Sequence, residues 1–160
     1  MKFFIAQINP IVGDLEGNAK KILSFAEQAK SISADFVLTP ELSLWGYPPK
    51  DLLLKRNLIA NQYQILDKLA LKINKNFGTL GVTIGIAEII KDSFFPNLYN
   101  SIVLIEGGKW EVVARKMILP TYEVFDESRY FRSEEKVSVL TKKLKIKLGK
   151  LELPSAKIYG

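Results

Sequence analysis

Glu41 and Lys116 are the two residues of this sequence whose types and settings best suit chemistry. Each stands at the end of a strand-like stretch: Phe36-Val37-Leu38-Thr39-Pro40 leads into the glutamate, and the stretch over residues 109–116 ends in the lysine. A carboxylate and an ammonium set at strand ends read as a catalytic floor awaiting a nucleophile. Aromatic residues stand just beyond both, Trp45 and Tyr47 after the glutamate and Tyr122, Phe125, Tyr130 and Phe131 after the lysine. Taken singly, each has an ordinary explanation. A strand-end lysine snorkels to water, a loop glutamate is solvated, and aromatic residues line cores.

The third member of such a site, a nucleophile, has no evident candidate. The 160 residues contain neither cysteine nor histidine. That excludes disulfides, Cys/His zinc sites and His-dependent triads, and leaves proton transfer to Asp, Glu, Lys or Tyr. No metal site is expected. Gly78-Thr79-Leu80-Gly81 is not a phosphate loop, since no Gly-Lys-Ser/Thr follows.

Composition narrows the class. Hydrophobic residues make up 48% and charged residues 25%, the balance of a globular chain long enough for a real core. Every apolar run is interrupted well short of a bilayer span, so no membrane role is expected. The N-terminus turns polar too early for a signal peptide, and a cytoplasmic protein is expected. The net charge is +6, but residues 141–160 hold six lysines and one acid and so supply +5 of it. A nucleic-acid binder would carry its basic face on its folded elements, so nucleic acid is not an expected partner.

Hydrophobic periodicity supplies the elements that would position the pair. Residues 2–9 read as a buried strand closed by Asn9-Pro10, and residues 16–33 as a helix with Ala19, Ile22, Leu23, Ala26 and Ala29 on one face. Residues 35–39 form a second strand, giving a βαβ unit with a parallel pair, whose ligands gather beyond the carboxyl ends of the strands. Glu41 lies at that end. A short helix is expected at 49–54 and a longer one at 57–77, stopped by Gly78. Residues 82–90 read as a strand in which Gly85 admits close approach of another element. Residues 98–106 and 109–116 flank Gly107-Gly108, a hairpin signal, and residues 137–140 suggest one more strand. The fold class is α/β.

Several of these stretches together resemble the nitrilase (carbon–nitrogen hydrolase) superfamily, and most closely the glutaminase domains of glutamine-dependent NAD synthetases. They are Ala6-Gln7-Ile8-Asn9-Pro10 with Val12-Gly13-Asp14, Thr39-Pro40-Glu41-Leu42 with Gly46-Tyr47-Pro48-Pro49-Lys50-Asp51-Leu52, and Lys116 with Leu119-Pro120 through Phe131. The resemblance covers about residues 1–140 and implies an α-β-β-α sandwich, incomplete at its C-terminus. It also implies a Glu-Lys-Cys catalytic set. Glu41 would be the general base, a cysteine would attack the glutamine carboxamide, and Lys116 would stabilise the tetrahedral oxyanion. Tyr122 and Tyr47 would contact substrate, and Glu127 would be a supporting acid that orients Lys116. Glutamine is the implied substrate and a homo-oligomer the implied assembly of the intact family. ATP and magnesium are implied only for a synthetase domain, with no cofactor for this chain.

The sequence departs from that pattern at residues 141–160, where the family's Ile-Cys-Glu-Asp-Leu-Trp-like motif is expected. Ser155 has the wrong neighbours to replace the cysteine. One permitted set of codons for Leu148 to Gly160, read one base earlier, spells Ile-Gly-Lys-Ile-Arg-Ile-Thr-Ile-Cys-Glu-Asp-Leu-Trp. Residues 141–160 are accordingly read as a divergent basic tail produced by a frameshift, and residues 1–140 as a partial glutaminase domain. The expectation is an enzyme fragment without its nucleophile. The alternatives are a fragment of another nitrilase-type amidase, which the 122–131 run argues against, and a non-catalytic small-amide-binding or regulatory protein.

Overall fold

The computed structural model describes residues 1–91, 93–122 and 125–134. The strand expected at 137–140, Ser155 and the basic tail lie outside the described residues.

Among the described residues, five strands form one sheet in sequence order: β1 (Phe3–Ile5), β2 (Phe36–Leu38), β3 (Gly81–Ile89), β4 (Leu98–Glu106) and β5 (Lys109–Arg115). β1, β2 and β3 run parallel, and β3, β4 and β5 antiparallel. The parallel pairs need crossovers, supplied by α1 (Leu15–Ser31) and α2 (Arg56–Phe77). The antiparallel pair β4–β5 needs only Gly107-Gly108, whose φ values of 59° and 77° are those a tight hairpin turn requires. Asp14 caps α1 by accepting a hydrogen bond from the Gly17 amide, and Gly78, at φ 65°, ends α2.

Strand alternation sorts the side chains into two layers. Phe4, Val37, Val82, Ile84, Ile86, Val103 and Ile105 meet the apolar stripes of the helices, including Ile22, Ala26, Leu66, Leu69 and Ile73, in one core. Phe36, Leu104 and Val113 form a smaller cluster on the other face. There Phe3, Ile5, Leu38 and Ile102 stay exposed. This corrects the expectation of a buried first strand over residues 2–9. β1 spans three residues at the sheet's edge, and only its Phe4 side faces the helices.

What positions the candidate site is the free edge of β3. β2 pairs with β3 only at Phe36↔Gly81 and Val37↔Val82. Beyond that point the chain bends away, and the polar backbone groups of every second β3 residue need other partners. The Thr83 carbonyl accepts from the Thr39 hydroxyl, at 2.8 Å. The Gly85 amide donates to Ser43 Oγ and its carbonyl accepts from the Leu44 amide. The Gln62 side-chain amide, from α2, satisfies both the amide and the carbonyl of Ala87. The Ile89 amide donates to the Tyr63 hydroxyl. The loop after β2 thus continues the sheet in the place of a strand.

Candidate active site

That loop carries Glu41, and three contacts hold it. Its backbone passes directly over Gly85, where a Cβ would stand 2.2 Å from the Leu42 nitrogen. Leu42 itself has φ 46°, a conformation L-residues rarely adopt, and its side chain is fully buried, so burial pins the strained turn. The buried Asn18 of α1 donates to the Ile11 and Leu44 carbonyls, tying the loop to the N-terminal turn. The Trp45 indole donates to Gln62 at 2.7 Å. Glu41 therefore projects from a loop with almost no freedom, although it is a loop.

Lys116 arrives from the opposite side. Successive residues at the end of β5 point to opposite faces. Arg115 forms a two-pronged ion pair with Glu88 at 2.7 Å, a second with Glu134 at 2.8 Å, and lies over the Tyr99 ring. Lys116, next in the chain, points to the other face, with its own amide donating to the Asn100 carbonyl at 2.8 Å.

Lys116 Nζ donates to Glu41 Oε1 at 2.8 Å and to Glu127 at 3.0 Å. Glu127 is 5% exposed and also accepts from the Tyr47 hydroxyl at 2.8 Å. Asn100 Nδ2 donates to Glu41 Oε1 at 2.5 Å. Burial pulls the Lys116 ammonium down, but hydrogen bonds and charge from Glu41 and Glu127 outweigh it, leaving its pKa raised. Burial, then the hydrogen bond to Glu127, holds the Tyr47 phenol well above the usual tyrosine range. Both groups keep their protons at neutral pH.

Glu41, Lys116, Glu127 and Tyr47 are thus brought into one hydrogen-bonded cluster from three separate places in the chain, Glu41 and Tyr47 sharing the loop after β2. Tyr122 is not part of it. It is 64% exposed and reaches the cluster only through a chain of rings, packing edge-on against Phe125 at 5.5 Å, which lies 6.2 Å from Tyr47. Asn100 escaped the sequence reading. Its signal was an asparagine at a sheet position, a residue strands disfavour, in register with buried Ala87.

The cluster opens on a cleft of about 250 Å³ lined by Glu41, Leu42, Gly85, Asn100, Ile102, Ala114, Arg115 and Lys116. An ammonium carries three donors, and two are used on the carboxylates. Glu41 Oε1 takes both donors that reach this carboxylate among the described residues, which leaves Oε2 as an open acceptor. The site offers one charged donor beside one charged acceptor. No group of three or more metal-ligating residues occurs among the described residues, and no described helix is long and apolar enough to cross a membrane.

Comparison with known proteins agrees with this architecture. The chain is 43% identical over 132 residues to the glutamine-dependent NAD(+) synthetase of Synechocystis, a match covering 82% of this chain and 24% of that protein. It is 35% identical over 153 residues to the enzyme of that name from Thermotoga maritima, covering 96% of this chain and again 24% of the relative. The chain therefore spans about a quarter of the length of the curated relatives it matches. The solved structure of glutamine-dependent NAD+ synthetase from Acinetobacter baumannii superposes with a TM-score of 0.74 at 32% identity, over 84% of this chain and 24% of that one. An amidase from Nesterenkonia shares the fold at a TM-score of 0.66 and 20% identity, over 85% of this chain and 49% of that one. The carbon-nitrogen hydrolase profile matches residues 5–152, and with that match this chain belongs to the carbon-nitrogen hydrolase family.

Proposed function

We propose that this chain corresponds to the N-terminal, amide-handling quarter of a glutamine-dependent NAD synthetase, and that its cleft binds the carboxamide of glutamine without hydrolysing it. The observation that carries this reading is the pairing of one free donor on Lys116 with one free acceptor on Glu41. A primary carboxamide presents the complement, a carbonyl for the ammonium and an N–H for the carboxylate. The names of the relatives support glutamine as the source of that amide. Adjacent Tyr47, Phe125 and Tyr122 would wall the rest of the ligand.

Hydrolysis would require a nucleophile to form an acyl intermediate. Glu41 would take its proton, and Lys116 would stabilise the oxyanion that develops on the carbonyl oxygen. The sequence contains no cysteine to start that step. ATP- and magnesium-dependent use of ammonia would fall to the three quarters of the relatives that this chain does not span.

Calorimetric titration with L-glutamine, alongside an ammonia-release assay, tests the reading. Saturable binding that Glu41→Gln or Lys116→Met abolishes, without ammonia release, is the expected outcome. Ammonia release abolished by Glu41→Gln would mean that another side chain serves as nucleophile. The absence of cysteine also favours a second reading, a regulatory small-amide-binding protein. Tight binding of other primary amides, with glutamine no better, would favour it.

A further inference from the structure

We infer that Asn100 is a positioning residue that occupies one oxygen of Glu41 and so fixes Oε2 as the oxygen that meets the ligand's N–H. The inference rests on the reading of Glu41 as the acceptor that holds the carboxamide. Asn100 holds both members of the ionic pair at once. Its main-chain carbonyl accepts from the Lys116 amide at 2.8 Å, while its side-chain Nδ2 donates to Glu41 Oε1 at 2.5 Å. The residue is 5% exposed and sits on an interior strand, paired with Ala87, so its amide cannot swing away.

The consequence is an asymmetric carboxylate. Oε1 accepts from an ammonium and from an amide, and neither donor reaches Oε2. An oxygen that already accepts two hydrogen bonds, one of them charge-assisted, has less capacity left for a third donor than its open partner. The ligand's N–H is therefore met by Oε2. Without Asn100, Glu41 could rotate about its terminal bond and exchange its oxygens against Lys116, because that torsion is broad and nearly two-fold. Lys116 alone holds the carboxylate close; Asn100 decides which way round it sits.

Infrared difference spectroscopy on the full chain, wild type minus Glu41→Gln, isolates the stretching bands of this carboxylate. A carboxylate with both donors on one oxygen shows a wide separation between its antisymmetric and symmetric bands. That wide separation is expected in wild type, and Asn100→Ala should narrow it. If the difference spectrum holds no carboxylate bands at neutral pH, the reading of Glu41 as a charged acceptor fails. If the bands are present and Asn100→Ala leaves their separation unchanged, only the positioning role fails. Nitrogen-15 NMR of wild type covers the case in which Asn100→Ala does not fold. One Asn100 side-chain proton should lie well downfield and return to the ordinary range in Glu41→Gln. An asparagine that serves only packing would show no response to that substitution.

Discussion

The backbone of Leu42 occupies the space that a side chain at residue 85 would need, with a Cβ on Gly85 falling 2.2 Å from the Leu42 nitrogen. Because Glu41 is the preceding residue, the placement of the carboxylate depends on an absent methyl group in a different element. Gly85→Ala should therefore disturb the loop rather than β3, which is anchored along β4 by eight paired residues. The expected cost is about 1–3 kcal/mol, the range for overpacking a filled core. Chemical denaturation measures it, and glutamine binding should weaken along with stability.

Gln62 joins α2 to both the Trp45 indole and the Ala87 backbone. It is fully buried, so its loss leaves three polar groups without partners or water. Gln62→Leu should destabilise the fold by about 2–4 kcal/mol, since each unsatisfied buried group costs roughly 1–3 kcal/mol and the losses overlap. Thermal melts followed by tryptophan fluorescence would show it. A variant that melts with the wild type would mean that the three groups find new partners.

The raised pKa of Lys116 predicts an alkaline stability limit. Its folded value lies above the ordinary 10.5, so its contribution is fully present below about that pH. The contribution is lost as the pH rises through the higher, folded value. Denaturant midpoints should fall in strongly alkaline solution beyond what the other lysines explain. Lys116→Met should remove that component while lowering stability at neutral pH, because Glu127 is left buried without its cation.

Tyr47 should resist ionisation. Ultraviolet titration of the phenols should show this one still protonated where exposed tyrosines have ionised, since burial and the Glu127 carboxylate both favour its neutral form. Glu127→Gln should bring the Tyr47 midpoint part of the way down. Burial, the larger cause, remains in that variant, so a complete return to the ordinary value would contradict the account.

Arg115 tests whether the reverse face of the sheet supports the site. Arg115→Met breaks the pairs to Glu88 and Glu134 and frees the Ser101 hydroxyl's partner from its cation. The Arg115 side chain is about one third exposed, at 35%, so solvent screening reduces the loss to about 1–3 kcal/mol. The expected companion effect is a Lys116 titration shifted downward, read by NMR, as the end of β5 loosens.

Local chemistry was legible in the sequence. Apolar spacing placed both helices within two residues of their ends, Gly107-Gly108 marked its hairpin, and the two strand-end residues Glu41 and Lys116 stood out by type and neighbours. These features depend on nearest neighbours and on the 2- and 3.6-residue periods, which a linear pattern records. Gly85 was also readable as a point of close approach, though not what approaches it.

Only the tertiary structure decided which groups meet. Nothing linear distinguishes Asn100 from any other strand asparagine until β3 and β4 pair and the Glu41 loop crosses Gly85 above them. The same crossing brings Glu127 and Tyr47, 80 residues apart, onto one hydrogen bond. The short first strand, exposed on one side, follows from its place at the sheet's edge, which periodicity does not encode. Residue types set what the side chains can do. Long-range packing, which no local pattern contains, set which of them do it together.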